Sequence, residues 1–126
     1  MLSNLSYNSN IVLHEMLHTI GFGTLWDTLG LVDTVIDTNG TKKPTDDTVS
    51  YIFNGDMATQ YNDSLNPLVE TDGGSGTAGG HWDEETYDNE LMTGWIDEEN
   101  YLSDMTFGSL DDMGYDINYN AIVEIA

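Results

Sequence analysis

The chain has 126 residues, enough for one small domain with a hydrophobic core and too few for two. The 23 acidic residues face only Lys42 and Lys43, so the formal net charge is −21, which disfavours nucleic acid and anionic membranes as partners and attracts cations. The lack of cysteine excludes disulfides and leaves His, Asp, Glu and backbone oxygen as the available metal ligands.

The first predicted element is a helix over residues 9–20. Asn8 or Ser9 can cap its start, and Gly21 can adopt the left-handed conformation that ends it. At about 100° per residue, one arc of this helix is apolar and the opposite arc is polar. The apolar arc consists of Val12, Leu13, Met16, Leu17 and Ile20. We therefore expect the apolar arc to face the core and the polar arc to carry the chemistry.

The middle of the chain gives weaker signals. Residues 23–36 predict a short strand or turn, 37–47 an exposed loop, 48–53 a strand, and 55–63 a helical piece. Residues 66–82 then run from a short extended segment into a glycine-rich loop, whose backbone is free to fold back across the molecule.

A second helix is predicted near the end of the chain. Ser103 is a good cap, the apolar pattern of residues 105–113 follows, and Gly114 can end the helix, although Gly108 weakens its middle. No repeat or linker divides the sequence, so we expect a single, loop-rich domain over residues 1–126.

The polar arc of the first helix carries His14, Glu15 and His18, from the stretch HEMLH at residues 14–18. His14 and His18 are four residues apart and so lie one helical turn from each other, close enough to bind one metal ion. Glu15 lies beside them and could take a proton from a water that the metal activates. The pattern therefore predicts a catalytic zinc with a glutamate base.

The third zinc ligand is left open by spacing alone. In the long pattern H-E-x-x-H-x-x-G-x-x-H the last histidine would fall on Thr24, whose hydroxyl is a poor zinc ligand. The ligand is then a carboxylate or a distant histidine, and His81 is the one histidine left in the chain. The carboxylate candidates are Asp27, Asp33 and Glu70.

Three blocks of sequence resemble the leishmanolysin family of metzincin zinc peptidases, in which an insertion separates the glycine turn from the third histidine. They are HEMLHTIGFGTLW at 14–26, GGHWDEETYDNELMTG at 79–94 and LSDMTFGSLDDMGYDINY at 102–119. Their order matches the family, and the first and last blocks lie near the two ends of the chain, at residues 14 and 119.

This resemblance implies a role for each matching residue. His14, His18 and His81 would bind zinc, Glu15 would be the general base, and Gly21 would form the turn after the active-site helix. Met92, eleven residues after His81, would form the methionine turn that packs beneath the ligand rings without bonding the ion.

The residues after His81 leave two questions open. Asp83, Glu84 or Glu85 could each accept the outer ring N–H of a ligand histidine or simply be solvated, and Trp82 could line the cleft or fill the core. The acidic composition also admits a calcium site, which no spacing assigns to particular residues.

The resemblance implies an α+β, zincin-like fold: an active-site helix, a loop-rich lower subdomain with the methionine turn, and a C-terminal helix. The chain would be a partial catalytic domain without the upper sheet subdomain, and that subdomain or a partner chain would cover the helix. The predicted function is zinc-dependent endopeptidase activity on a peptide or protein substrate. The alternative is a structural or binding module, such as a particle or surface protein component, that retains a structural zinc site.

The sequence says least about the cellular location of the protein. The sequence has no apolar run of membrane-spanning length, and its first ten residues lack the pattern of a secretory signal. The resemblance implies an extracellular or surface-associated protein, and the sequence itself carries no visible address.

Overall fold

A computed structural model of the protein describes residues 7–74 and 76–119. Within them it is an α+β fold with four α-helices and one three-stranded antiparallel sheet, which confirms the predicted fold class. The elements in chain order are α1 Tyr7–Thr19, β1 Val32–Asp37, a 3-10 turn at Pro44–Asp46, β2 Thr48–Phe53, α2 Asp56–Gln60, β3 Leu68–Val69, α3 Glu84–Tyr87 and α4 Asp104–Asp112.

The sheet has the strand order β1-β2-β3. Strands β1 and β2 form a hairpin in which Val32 pairs with Phe53 and Asp37 pairs with Thr48. The strand predicted at 48–53 is confirmed, as is the helical piece after it. Beside β2, the two-residue strand β3 begins the segment that leads to the glycine-rich loop.

Short polar side chains close the loop of this hairpin. The Asn39 backbone N–H donates to Asp37 Oδ1 at 2.8 Å, and the Asn39 side-chain amide donates to the Asp46 carbonyl and Thr48 Oγ1. Both Asn39 and Gly40 have a positive φ. These polar residues thus serve the turn that joins β1 to β2.

Helix α4 follows its sequence signals closely. Ser103 Oγ accepts a hydrogen bond from the Thr106 N–H, as a helix cap does, and Gly114 has φ +108° just beyond the helix end. Gly108 lies where α4 crosses α2, and a Cβ there would come within 2.9 Å of the Ala58 nitrogen and the Met57 carbonyl. The glycine that weakens the helix pattern therefore permits two helices to approach closely.

Four aromatic side chains form the centre of the core: Phe22, Trp26, Phe53 and Trp82, all fully buried. Trp26 lies 4.6 to 4.9 Å from the other three rings, measured between ring centroids. These residues come from the turn after α1, from β2 and from the position after His81. Trp82 therefore fills the core, and its packing against Phe22 and Trp26 joins the end of the glycine-rich loop to the turn after α1.

The face of α1 that is buried differs from the predicted one. Val12, Met16 and Ile20 are 58%, 59% and 42% exposed, whereas Asn10 and His14 are buried at 1% and 5%. Half-buried Leu13 and buried Leu17 are the members of the apolar arc that meet the core. The expectation that the whole apolar arc faces the core was wrong, because α1 turns part of its histidine-bearing side toward the core.

The start of α1 also differs from the prediction. Among the described residues α1 runs from Tyr7, so Asn8 and Ser9 lie inside the helix and do not precede it. Its end agrees with the prediction, since the helix stops at Thr19 and Gly21 follows with φ +111°. Among the described residues, no helix has the length and apolar character needed to cross a membrane.

Candidate metal centre

Three histidine rings converge in the structure. His14 and His18 lie on α1, and His81 is delivered by the end of the glycine-rich loop. Nε2 of His18 lies 3.0 Å from Nε2 of His14 and 3.0 Å from Nε2 of His81. Tetrahedral zinc with Zn–N bonds of about 2.0–2.1 Å holds neighbouring ligand nitrogens about 3.3 Å apart. The spacing of these nitrogens is thus close to what one zinc ion requires.

The outer nitrogen of each ring contacts a backbone carbonyl. His14 Nδ1 lies 2.8 Å from the Leu91 oxygen, His18 Nδ1 2.8 Å from the Phe22 oxygen, and His81 Nδ1 2.9 Å from the Thr77 oxygen. A carbonyl oxygen can only accept, so Nδ1 must carry the hydrogen in all three rings. A neutral ring then presents the lone pair of Nε2 to its neighbours.

This tautomer explains why the cluster suits a cation. The His18 Nε2 lone pair lies 3.0 Å from those of His14 and His81, and no proton is shared if all three rings are neutral, so the lone pairs repel until a cation lies between them. Burial lowers the pKa of His14 and lowers the pKa of His81 to about 4, which favours the neutral, ligating form of both rings. The donor set fits a zinc ion.

The acceptors of the ring N–H groups differ from the acidic residues that the sequence suggested. Asp83 Oδ2 accepts from the Thr86 hydroxyl at the start of α3, Glu84 is half-buried, and Glu85 is exposed. Backbone carbonyls orient the three rings in their place. A carbonyl is held by the fold itself, so it orients a ring without adding charge beside it.

The three carboxylate candidates for the third ligand lie outside the histidine group. Glu70 is 2% exposed, and its carboxylate accepts from the backbone N–H groups of Thr71, Asp72 and Glu84. Asp27 lines the cleft in front of the histidines, and Asp33 is exposed on β1. Of the candidates considered, the structure brings His81 to His14 and His18.

Backbone hydrogen bonds at the base of the glycine-rich loop place His81. The Glu70 N–H donates to the His81 carbonyl at 2.8 Å, and the Gly79 N–H donates to the Glu70 carbonyl at 2.9 Å. With the carboxylate contacts above, Glu70 uses its backbone and its side chain to close the loop. Glu70 therefore acts on the fold of the loop that carries His81.

Gly23 is a site-forming residue that sequence reasoning missed. It has φ +72°, and a Cβ there would come within 2.0 Å of the Gly80 carbonyl oxygen, next to His81. The turn after α1 and the end of the glycine-rich loop can approach this closely only because position 23 has no side chain. The two closely spaced glycines after the helix, Gly21 and Gly23, are the feature of the sequence that could have indicated a tightly packed turn here.

Replacing Gly23 with alanine is expected to lower zinc affinity at least about tenfold, because the new methyl group must displace Gly80 and with it His81. The overlap should also cost about 1–3 kcal/mol of stability. Gly30→Ala is the matched control: Gly30 has a similar φ of +70° but open space around it, so only the backbone cost of about 1–2 kcal/mol should appear. Zinc titration and urea unfolding of both variants measure the two effects. Equal zinc affinities would contradict the role given to Gly23.

The histidines lie at the bottom of an open cleft. Glu15 and Thr24 line it on the side of α1, Thr34 and Tyr51 on the side of the β1–β2 hairpin, and Gly76 and residues 78–80 of the glycine-rich loop also line it. Glu15 is exposed to this cleft beside the ligand rings. A substrate that enters the cleft would therefore meet both the histidine group and a carboxylate.

Met92 is fully buried in the hydrophobic core. Its backbone N–H donates to Glu90 Oε1 at 2.6 Å, and its carbonyl accepts from the Trp82 N–H at 2.9 Å. The turn that carries Met92 is therefore bonded directly to the residue that follows His81. Glu90, which the sequence reasoning did not single out, is itself completely buried.

Comparison with known families identifies the family of the chain. The family model described as leishmanolysin matches residues 4–125, almost the whole chain. The chain belongs to the leishmanolysin family. The resemblance seen in the three sequence blocks is thereby confirmed, and the chain is a member of a metzincin family of zinc metallopeptidases, hydrolases that cleave peptides or proteins. No curated protein matches the chain individually.

A second group of potential ligands lies away from the histidines. Carboxylate oxygens of Glu84, Asp88 and Asp97 all lie within 4.8 Å of one another. Burial and the neighbouring acids raise the pKa of Glu84 and of Asp97. Groups of exposed acidic side chains are common in proteins without a bound metal, so calcium binding stays a prediction.

Proposed function

We propose that this leishmanolysin-family chain is a zinc endopeptidase whose metal is held by His14, His18 and His81. The observation that supports this most strongly is the convergence of three Nε2 atoms whose rings are each fixed through Nδ1 by a backbone carbonyl. Zinc bound there would supply a Lewis acid that polarises the scissile carbonyl and makes a water molecule more acidic.

Glu15 is the proposed general base. It follows His14 on α1 and lines the same cleft, so its carboxylate can take a proton from the attacking water. It can then return that proton to the leaving amine, and the products are two shorter peptides with no covalent intermediate on the protein. The reaction needs no nucleophilic side chain.

Gly21 and Met92 have supporting roles in this proposal. Gly21 has φ +111°, and a Cβ there would come within 2.7 Å of the Leu25 and Met113 side chains. It lets the chain turn sharply between the helix and the core residue Phe22. Met92 provides an apolar, polarizable side chain in the buried layer that supports the ligand rings.

A non-catalytic role with a structural zinc is the weaker alternative. Structural zinc sites are typically closed by four protein ligands, whereas catalytic sites keep one position open. Here three histidines face an open cleft that also contains Glu15. An open fourth position beside a carboxylate favours catalysis.

The extent of the catalytic domain is also a proposal. The exposed Val12, Met16 and Ile20 leave one face of α1 apolar and solvated, and an upper subdomain or a partner chain would cover it. Residues 1–6, 75 and 120–126 of the proposed 1–126 domain lie outside the described residues. An extracellular or surface location stays a prediction.

Metal analysis together with a cleavage assay tests the proposed function. We expect about one zinc per chain, cleavage of an unfolded protein substrate, loss of cleavage when a chelator removes the metal, and its return when zinc is added back. The assay should use this 126-residue chain and, if upstream sequence exists, a longer chain that includes it. Tight zinc binding with no cleavage in both would favour the structural alternative.

A further inference from the structure

Glu90 is the most completely buried acid described in the structure, with no exposed surface. Its Oε1 accepts from the Met92 N–H at 2.6 Å. Its Oε2 accepts from the Ser103 hydroxyl at 2.5 Å and from the Thr106 hydroxyl. Burial raises the pKa of Glu90, so the charged form of this group depends on the three hydrogen bonds that it accepts.

The first connection from Glu90 leads to His14. The hydrogen bond from the Met92 N–H to the Glu90 side chain spans Leu91, which lies between them in the chain. The Leu91 N–H donates to the Tyr101 carbonyl at 2.8 Å. The Leu91 carbonyl, fixed between them, is the acceptor for His14 Nδ1 at 2.8 Å. The position of Glu90 therefore sets the position of the oxygen that orients this ring.

The second connection leads to His81. Thr106 Oγ1 donates to Glu90 Oε2 and accepts from Trp82 Nε1 at 2.9 Å. The Trp82 backbone N–H also donates to the Met92 carbonyl. Trp82 directly follows His81, so both its side chain and its backbone are anchored to the segment that Glu90 holds.

We propose that Glu90 is a positioning residue of the metal centre, which holds the Leu91 carbonyl against His14 and the Trp82 indole beside His81. This inference rests on the proposed zinc function. Glu90 touches neither metal nor substrate in this role, since it acts through Leu91, Met92, Thr106 and Trp82. One buried carboxylate thus links two ligands that are far apart in sequence.

A carboxylate suits this position because all three of its partners donate. One backbone N–H donates to Oε1 and two hydroxyl groups donate to Oε2, so both side-chain oxygens must accept. A glutamine side chain has only one oxygen. Glu90→Gln can keep the Met92 contact through its oxygen, but its NH₂ group then faces the Ser103 and Thr106 hydroxyls. We expect this change to loosen the connection to Trp82 first.

The test compares Glu90→Gln with Asp112→Asn. Asp112 is the matched control because its carboxylate also accepts two backbone N–H groups, from Met57 and Ala58 in α2, and neither of these hydrogen bonds involves a residue that contacts the histidines. For each protein, zinc affinity of the folded chain, the visible spectrum of the cobalt(II)-loaded protein and urea unfolding of the metal-free chain are measured.

We expect Glu90→Gln to weaken zinc binding roughly 10–100-fold and to change the cobalt spectrum, because the ligand rings lose their orientation. Asp112→Asn should lower stability yet leave zinc affinity within about twofold and the spectrum unchanged. If Glu90→Gln lowers stability alone and keeps the wild-type affinity and spectrum, Glu90 is an ordinary structural residue and the inference fails.

A second variant covers the case in which Glu90→Gln does not fold. Thr106→Val removes the hydroxyl that joins Glu90 to Trp82 while keeping the shape of the side chain. A changed cobalt spectrum in this variant supports the inference, and an unchanged spectrum with unchanged zinc affinity overturns it. Failure of the wild-type chain to bind zinc would instead reject the proposed function, so the two failures are distinguishable.

Discussion

Replacing Glu15 with glutamine is expected to lower kcat/KM for peptide cleavage by about 10²–10⁴-fold, because glutamine cannot take the proton of the attacking water. Zinc affinity should change little, since Glu15 lines the cleft but is not one of the three converging rings. Cleavage rates and zinc content measured on the same preparation separate the two effects. Glutamine is nearly the same size as glutamate, so the fold should be unaffected.

Glu85→Gln is the matched control for this change. Glu85 is an equally exposed glutamate, placed on α3 and outside the residues that line the cleft. It should retain the wild-type rate. If Glu15→Gln also retains that rate, another group is the base. If Glu15→Gln loses the zinc together with the activity, the carboxylate takes part in metal binding.

Part of the metal centre was predictable because its signal is local. His14 and His18 lie one helical turn apart, so their sequence spacing alone predicts that the rings meet. His81 is 63 residues from His18, and no local rule joins the two. It was assigned through the family resemblance, since the residues alone left carboxylates such as Glu70 open.

The groups that orient the rings could not be predicted from side-chain chemistry. The sequence pointed to the acids after His81, but the acceptors are backbone carbonyls, which every residue possesses. Which carbonyl faces a ring depends on the fold of distant segments. His14 and its acceptor Leu91, for example, are 77 residues apart.

The fold likewise divides into elements that local sequence signals predict and features that depend on distant contacts. Strand β2 and helix α4 were predicted because alternation, a serine cap and a terminal glycine act within a few neighbouring residues. The orientation of α1 was mispredicted because apolar periodicity assumes that the more apolar side is buried. His14 is buried despite its polarity, because its ring N–H finds the Leu91 carbonyl inside the protein.

Replacing His81 with alanine is expected to weaken zinc binding by more than about 100-fold. This effect exceeds that of losing a group that only orients a ligand, because a ligand itself is removed. Two histidines on α1 would remain, too few for a tetrahedral protein site with one open position. The metal-free chain should lose only about 1 kcal/mol from the missing contact between His81 and the Thr77 carbonyl. Zinc titration and urea unfolding in the presence of a chelator measure these two quantities.

Asp27→Ala is the control that distinguishes a histidine from a carboxylate as the third ligand. Asp27 lines the same cleft and was a carboxylate candidate for the third ligand, yet it lies outside the converging group. If His81→Ala loses zinc and Asp27→Ala keeps it, the third ligand is the histidine that the glycine-rich loop delivers. The opposite result would mean that the ligand is a carboxylate. In that case the close packing of Gly23 against Gly80 would serve the shape of the cleft, because the loop would no longer have a metal ligand to place.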